Sequence, residues 1–397
     1  MVLERSYRGD DYIRAAEMYQ RAIALDSTFA LAYARLSRAH TGAYWFYGDR
    51  TAERLAKAKT AADRSLALQP DLTEGHIALG YYHYWGHLDY PHALEEFAIA
   101  RRREPNNATL VAGLAFVERR QGHFEDAATD LARAVELDPR NIIFAQDLGS
   151  TYVYIRRFDE AARAEDRAIA IAPDELFPYM ARAQIALVAS GDSAKARQVL
   201  RDASQALGAG KMAAEAAIQF SEYPAALLLL LEPEVVDALS RLPLTAEITD
   251  TGTFYLTKAG LLHLRSQEQA SRTYADSARA VVAAILLRRP DEPQYHAQLG
   301  HAYAMLGRKG DAIREGRRAT ELLPISKDAL AGGDLIENLA VIYTIAGEHD
   351  AAIERLQYLL TIPSAYSANW LRFDPAFAPL RNDPRFQKLV AGTRGTP

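Results

Sequence analysis

The sequence predicts an all-α protein in which helical hairpins stack side by side into a solenoid. Three observations carry that expectation. Pro70, Pro105, Pro139 and Pro173 stand 35, 34 and 34 residues apart, a period of the kind that marks a repeated two-helix unit. Each interval holds two amphipathic runs divided by a break. Runs of β-branched residues are scarce and proline sits mostly at repeat ends, so almost no sheet is expected.

The segment from Ala108 to Pro139 displays the unit most plainly. Leu110, Val111, Leu114, Ala115 and Val117 recur at helical spacing. Gln121-Gly122-His123 interrupts them, and glycine there adopts a positive φ at little cost. Phe124, Ala127, Ala128, Leu131, Ala134, Val135 and Leu137 form a second apolar stripe. Asp138-Pro139 closes it, because proline lacks the N–H that a continuing helix needs.

Small residues and bulky ones alternate in the second helices: Ala93, Phe97, Ala100; Ala127, Leu131, Ala134; Ala161, Glu165, Ala168. The first helices carry Leu79-Gly80, Leu114-Ala115, Leu148-Gly149 and Leu299-Gly300. The small positions let two helices approach and the large ones fill the space between. On these residues the chain resembles the tetratricopeptide repeat, W-x2-L-G-x2-Y…A-x3-F…P. The resemblance implies a right-handed superhelix whose inner surface is lined by first helices.

Taken in order, repeat one is incomplete, with only Ala15, Tyr19 and Ala22 of a second helix. Repeat two (Tyr33, Leu36, His40; Ala58, Ala62, Ser65) is long by about nine residues. The excess, Thr41 to Asp49, is aromatic: either a first helix extended to pack on its neighbour or a ligand-facing lip. Repeats three to five are regular and repeat six is weaker. The resulting division is an N-terminal array over 1–207, a degenerate helical segment over 208–252, further repeats over 253–364, and a capping tail over 365–397. Leu227 to Leu231 is expected to be buried in the degenerate segment.

The tail resembles the C-terminal end of a narrower family, the repeat-containing regulatory regions of bacterial membrane-anchored serine/threonine kinases and of related adenylate-cyclase-type and winged-helix regulators. The matching residues are Lys327-Asp328, Glu337-Asn338-Leu339-Ala340, Leu371 to Pro375 and Pro379 to Phe386. This implies a regulatory arm whose catalytic or DNA-binding domain lies elsewhere. Read from its own residues, the tail is a cap: Trp370, Phe373, Phe377, Leu380 and Phe386 cover the last apolar face of the stack.

Composition excludes several function classes. The chain has 397 residues, is 49% hydrophobic and 24% charged, and carries a net charge of −5, so no global field draws nucleic acid or an anionic membrane. With no cysteine, disulfides, thiolate metal sites and a cysteine nucleophile are ruled out. The start, MVLERSYRGDD, has no apolar signal core, and Ala225 to Leu231 is too short to span a bilayer. A cytoplasmic location is therefore expected, or a periplasmic one for a trimmed piece of an anchored parent, which an initial Met inside a partial repeat would fit.

No enzyme is expected. There is no kinase Gly-rich loop, H-R-D or D-F-G, and no G-x-S-x-G or H-E-x-x-H. Gly208-Ala-Gly-Lys211 lacks the first glycine and the final Ser/Thr of a phosphate loop. His76, His83, His87 and His92 gather in repeat three. Packing or capping roles are the plain reading, and no metal ligand or cofactor is assigned, although convergent imidazoles hold zinc elsewhere. The arginine pairs, such as Arg119-Arg120 and Arg317-Arg318, alternate with acids and read as a solvated face, not a phosphate track.

What remains is a binding module. In the resembled family the inner face uses the second, fifth, ninth and twelfth positions of each first helix. Applied to repeats two to five, this gives Arg38, Glu74, Ile77, Tyr81, Tyr84, Phe116, Arg119, Gln146, Ser150 and Val153 as a partner-binding groove. The Lys and Asn with which some members grip a chaperone's carboxyl terminus are replaced by Ala34, Ile77 and Ala112. An apolar, aromatic trough flanked by arginines suits an extended or helical peptide. Tyr81 and Arg119 are the expected contacts, with Tyr81 packed between first helices as the alternative. A non-catalytic protein- or peptide-binding scaffold is therefore expected, without nucleic acid or membrane contact and with a homodimer left open. The alternative is a small-ligand or metal sensor built on the aromatic and histidine cluster of repeats two and three.

Overall fold

The computed structural model describes residues 9–46, 50–219, 225–245, 248 and 250–391, and these contain helices and turns but no strand. The expectations for residues 1–8 and for Tyr47–Asp49 lie outside the described residues. The chain divides into two compact units, Met1–Arg119 with His123–Leu148, and Arg120–Gly122 with Gly149–Pro397. The boundary at 207/208 drawn from sequence falls inside the second unit.

The first unit contains α1 (Gly9–Leu25), α2 (Ala30–Phe46), α3 (Ala52–Leu68), α4 (Thr73–His87), α5 (Tyr90–Arg103), α6 (Ala108–Arg120), α7 (Phe124–Leu137) and the start of α8 (Ile142–Tyr154). Helices α2 and α3 pair, as do α4 and α5, and first helix packs on first helix from α2 to α4. Gly80 shows why the repeat needs a small residue: a Cβ there would lie 2.3 Å from the Phe97 ring, and one on Gly113 would lie 2.8 Å from the same ring. Phe97 is thus the wedge shared by two repeats, fully buried with Ala93 and Ala100 on either side. As far as Phe46, the aromatic excess of repeat two is an extension of α2. Phe46 stacks on Tyr12 at 5.5 Å and meets Trp85 edge-on at 5.1 Å, and Trp45 stacks on Trp85 at 6.4 Å.

The second unit continues with α9 (Phe158–Ile171), α10 (Leu176–Ser190), α11 (Ser193–Leu207), α12 (Ala209–Gln219), a 3-10 turn (Ala225–Leu230), α13 (Pro233–Arg241), α14 (Thr251–Leu264), α15 (Glu268–Leu286), α16 (Pro293–Met305), α17 (Lys309–Leu322), α18 (Ala331–Ile345) and α19 (His349–Thr361). The tail follows as α20 (Ala368–Phe373), a 3-10 turn (Pro375–Leu380) and α21 (Pro384–Ala391). Leu227, Leu228, Leu230 and Leu231 are buried as expected, but Leu229 is 44% exposed, because a helical turn cannot point five consecutive side chains inward.

One turn joins the two helices of successive repeats. After the first helix a residue with positive φ reverses the chain: Gly122, Arg156, Ser266, Gly307 and Gly347. The next N–H then bonds back to the carbonyl five residues earlier, as His123 to Glu118, Arg157 to Tyr152, Arg308 to Tyr303 and Glu348 to Tyr343. This closes the helix end in a Schellman arrangement. A second device ties repeat to repeat. The residue six after the repeat-ending proline donates to that proline's carbonyl: His76 to Pro70 at 3.2 Å, Tyr179 to Pro173 at 3.2 Å, and His296 to Pro290 at 2.8 Å. The two histidines also hold a second-helix glutamate, His76 with Glu96 and His296 with Glu315, each at 2.7 Å.

The tail does more than cover a terminal face. Trp370, Phe377, Leu380 and Phe386 are buried in a core that also contains Val153, residues of α10 and α12, and Leu339 of α18. Ser367 Oγ donates to Val188 O at 2.6 Å and Asn369 Nδ2 to Ala189 O at 2.9 Å, satisfying end-of-helix carbonyls of α10 that have no intrahelical partner. Ser364 N reaches Tyr154 O at 3.3 Å and Arg156 reaches Leu360 O at 2.9 Å. Arg120 holds Asp328 at 2.8 Å while Ala329 N bonds to Arg120 O. Within the second unit, the C-terminal segment therefore returns to its beginning.

Candidate functional site

In the first unit the residues assigned to a groove are mostly spent on one another. Tyr81 is 1% exposed. Its hydroxyl donates to Thr109 O at 3.1 Å, its ring lies 4.4 Å from Trp85, and the Arg38 guanidinium covers it at 5.0 Å. Burial raises the phenol well above its usual range. Ile77, Tyr84, Phe116 and Gln146 are equally buried. Of the two expectations for Tyr81, its surroundings match packing between first helices: adjacent first helices come close enough to enclose the aromatic, and it forms the floor of the face. Arg119, also buried, pairs with Asp147 at 2.5 Å and lies 5.3 Å from the Phe116 ring centroid. Glu74 retains accessible surface beside Arg35, 3.8 Å away. Ser150 and Val153, which belong to the second unit, are half-buried and buried respectively.

The histidine cluster resolves into separate parts. His76 belongs to the repeat-to-repeat device and His87 packs against Tyr82 at 4.8 Å. His83 and His92 stack at 5.4 Å, and His92 Nδ1 meets Asp89 Oδ2 at 2.6 Å. Burial lowers His83 below the usual imidazole range, while the bond to Asp89 raises His92. Several arginines of the pairs face carboxylates or a ring hydroxyl: Arg119 with Asp147, Arg120 with Asp328, Arg157 with Glu160, Arg318 with Asp291, and Arg317 with the Tyr343 hydroxyl.

The second unit holds a site that the sequence reading missed. Counted like repeat three, with Leu339-Ala340 aligned on Leu79-Gly80, the second and fifth positions of α18 are Asp334 and Glu337. The ninth position of α16, counted from Leu299-Gly300, is His301. All three keep solvent-accessible surface, yet burial dominates their ionisation. Asp334 is raised to about 6 and Glu337 to about 8, while His301 is lowered to about 4. His301 is not among the neighbours of the two acids. Asp334 and Glu337, one turn apart on α18, are open to solvent on one side and crowded by packed protein on the other, and this partly enclosed face is the recess. Around it, Tyr154 donates to Asp334 Oδ1 at 3.1 Å and Tyr366 hydrogen-bonds Glu337. Asp374, itself raised to about 6 by burial, and Asp334 push Glu337 further toward its protonated form. Extending the position rule to the last repeat would have found the two acids. The tyrosines would not have been found, because only the returning tail brings Tyr366 to α18.

No family model matches the chain and no curated protein matches it. Among solved structures it is similar to YrrB, described as a TPR protein with an unusual peptide-binding site, at 19% identity over 48% of this chain and 93% of that one, TM-score 0.35. It is similar to PilF of Pseudomonas aeruginosa at 16% identity over 64% and 91%, TM-score 0.39. Yeast Tom70 follows at 14% identity over 86% and 60%, TM-score 0.40, and human IFIT1 with a PPP-AAAA ligand at 13% identity over 80% and 69%, TM-score 0.44. All four lie below a TM-score of 0.5, so the assignment of helical hairpins rests on the turns and wedges of this chain itself.

Proposed function

We propose that the chain is a non-catalytic scaffold that binds protein segments, and that the recess of the second unit receives a cationic side chain of the partner. The observation that carries this reading is the pair Asp334 and Glu337. They are reachable from solvent and flanked by two tyrosine hydroxyls, and desolvation raises both: Glu337 to about 8, which keeps it largely protonated at neutral pH, and Asp334 to about 6. A lysine or arginine entering the recess would compensate that desolvation, drive off the proton and gain charge-assisted hydrogen bonds. Functional sites are where burial and like charges are arranged to shift ionisation, which makes these two acids candidates for a binding role. In the first unit we assign partner contact to the accessible rim, Glu74 beside Arg35, above a floor of Ile77, Tyr81, Tyr84 and Phe116. The tail residues that resemble bacterial regulatory regions support a further reading, that the scaffold is the regulatory arm of a signalling protein.

The test is fluorescence anisotropy with labelled lysine-rich and glutamate-rich peptides. Preferential binding of the lysine-rich peptide, weakened about tenfold or more by the Asp334→Asn/Glu337→Gln pair, supports the reading, since a close charge pair is worth a few kcal/mol. Equal binding of both peptides, or indifference to the two substitutions, overturns it.

A further inference from the structure

A second site, independent of the recess, lies where α4 turns into α5. Leu88 takes a left-handed conformation, φ 51°, and Asp89 N bonds back to His83 O at 3.0 Å. That reversal lays the first turn of α5 beside the last turn of α4. Asp89 caps α5 by accepting from His92 N at 3.3 Å, and its other oxygen meets His92 Nδ1. One ligand atom each from His83, Asp89 and His92 falls within 4.8 Å of the others. His83 and Asp89 are half-buried and His92 is exposed, so an ion has a way in and two ligands have fixed backbones.

We propose that His83, Asp89 and His92 form a binding site for a divalent transition ion of the zinc type. Two imidazoles and one carboxylate are the donor set that such ions take with three protein ligands and one open position. Bonds of about 2.0–2.1 Å in tetrahedral geometry place ligand atoms roughly 3.3 Å apart. His92 Nδ1 and Asp89 Oδ2, now 2.6 Å apart, need open by less than 1 Å, roughly, as the ion replaces the proton between them. His83, across the turn, offers a ring nitrogen within 4.8 Å of both, which completes the set. The cap from Asp89 to the His92 backbone orients the carboxylate, as outer hydrogen bonds do in metal sites. An ion held there links the two helices of one hairpin across their turn, outside the Phe97 wedge. It would favour the folded hairpin by mass action.

The experiment uses the full chain. Zinc is titrated by calorimetry at pH 7.5, and cobalt is titrated with its visible absorption as a second readout. The expected result is one equivalent bound with intense tetrahedral-type cobalt bands. Affinity should fall about tenfold or more in His83→Gln and His92→Gln, since even outer-partner losses cost roughly 10–100-fold. His76→Gln should leave binding unchanged. Asp89→Asn keeps an N-cap acceptor and should weaken binding with an unaltered helical circular dichroism spectrum, which separates ligand loss from misfolding. No binding, or binding unaffected by the His83→Gln/His92→Gln double substitution, overturns the proposal. So does octahedral cobalt absorption that the substitutions leave in place.

Discussion

Glycine at two kinds of position sets the residue-scale requirements of this chain. At Gly307 the backbone has φ 77° and nothing stands within 4 Å of an added Cβ, so substitution there meets conformational strain alone. Gly307→Ala should cost about 1 kcal/mol in chemical denaturation, the balance of a left-handed L-residue against a stiffer unfolded chain. A neutral result would show that the turn is not held left-handed. At Gly300 an added Cβ would meet Ile342 Cδ1 at 2.9 Å and two backbone atoms, Ala312 O and Gly316 N, at 3.0 Å; the backbone atoms cannot turn aside, so the alanine there should cost about 1–3 kcal/mol by separating α16 from α17.

Glu337 gives the clearest pH dependence. Its folded carboxyl titrates near 8 against 4.5 for the ordinary group, so the folded form holds the proton more tightly than the unfolded one. That contribution to stability is full below about pH 4.5 and is lost as pH rises through 8. Thermal melts of Glu337→Gln should match the parent at pH 5 and exceed it at pH 8.5. A variant less stable than the parent at pH 8.5 would mean that Glu337 is ionised and paired.

At the scale of the element, the hairpin is legible in the sequence because its rules are local. The 34-residue spacing, the Gly at the turn and the Ala–Phe–Ala alternation are each written within one repeat, and helices, turns and the Phe97 wedge follow from them. Phe97→Ala removes the ring that separates Gly80 from Gly113 and should cost about 3–5 kcal/mol, read as a shift in the urea midpoint. The groove was less legible. Position rules say which side of a first helix faces inward, not how near the next first helix lies, and at Tyr81 that distance closes the side chain off. Asp89 was missed as a companion of His83 and His92 because it sits in the turn, at no repeat position.

On the scale of the whole molecule, the return of the tail to α10 had no sequence signal. Its hydrogen bonds join residues about 180 positions apart, and nothing periodic announces them. The tail's aromatic residues were recognised as a cap, but their partners could not be named. Trp370 is fully buried, and the other two tryptophans, Trp45 and Trp85, belong to the first unit. With Trp45→Phe and Trp85→Phe, the emission of Trp370 should be blue-shifted and shielded from acrylamide. Ser367→Ala should raise its quenching by weakening the tie to α10, whereas unchanged quenching would place the docking energy in packing alone.

The recess depends on that docking, since Tyr366 arrives with the tail, and the functional reading depends on the recess. The most direct test is the affinity of a lysine-rich peptide measured by anisotropy from about pH 7 to 8.5, above the range in which Asp334 titrates and where lysine stays charged. Affinity rising with pH in the parent chain and flat in Glu337→Gln is the predicted result. No binding, or the same pH profile in both proteins, would contradict it.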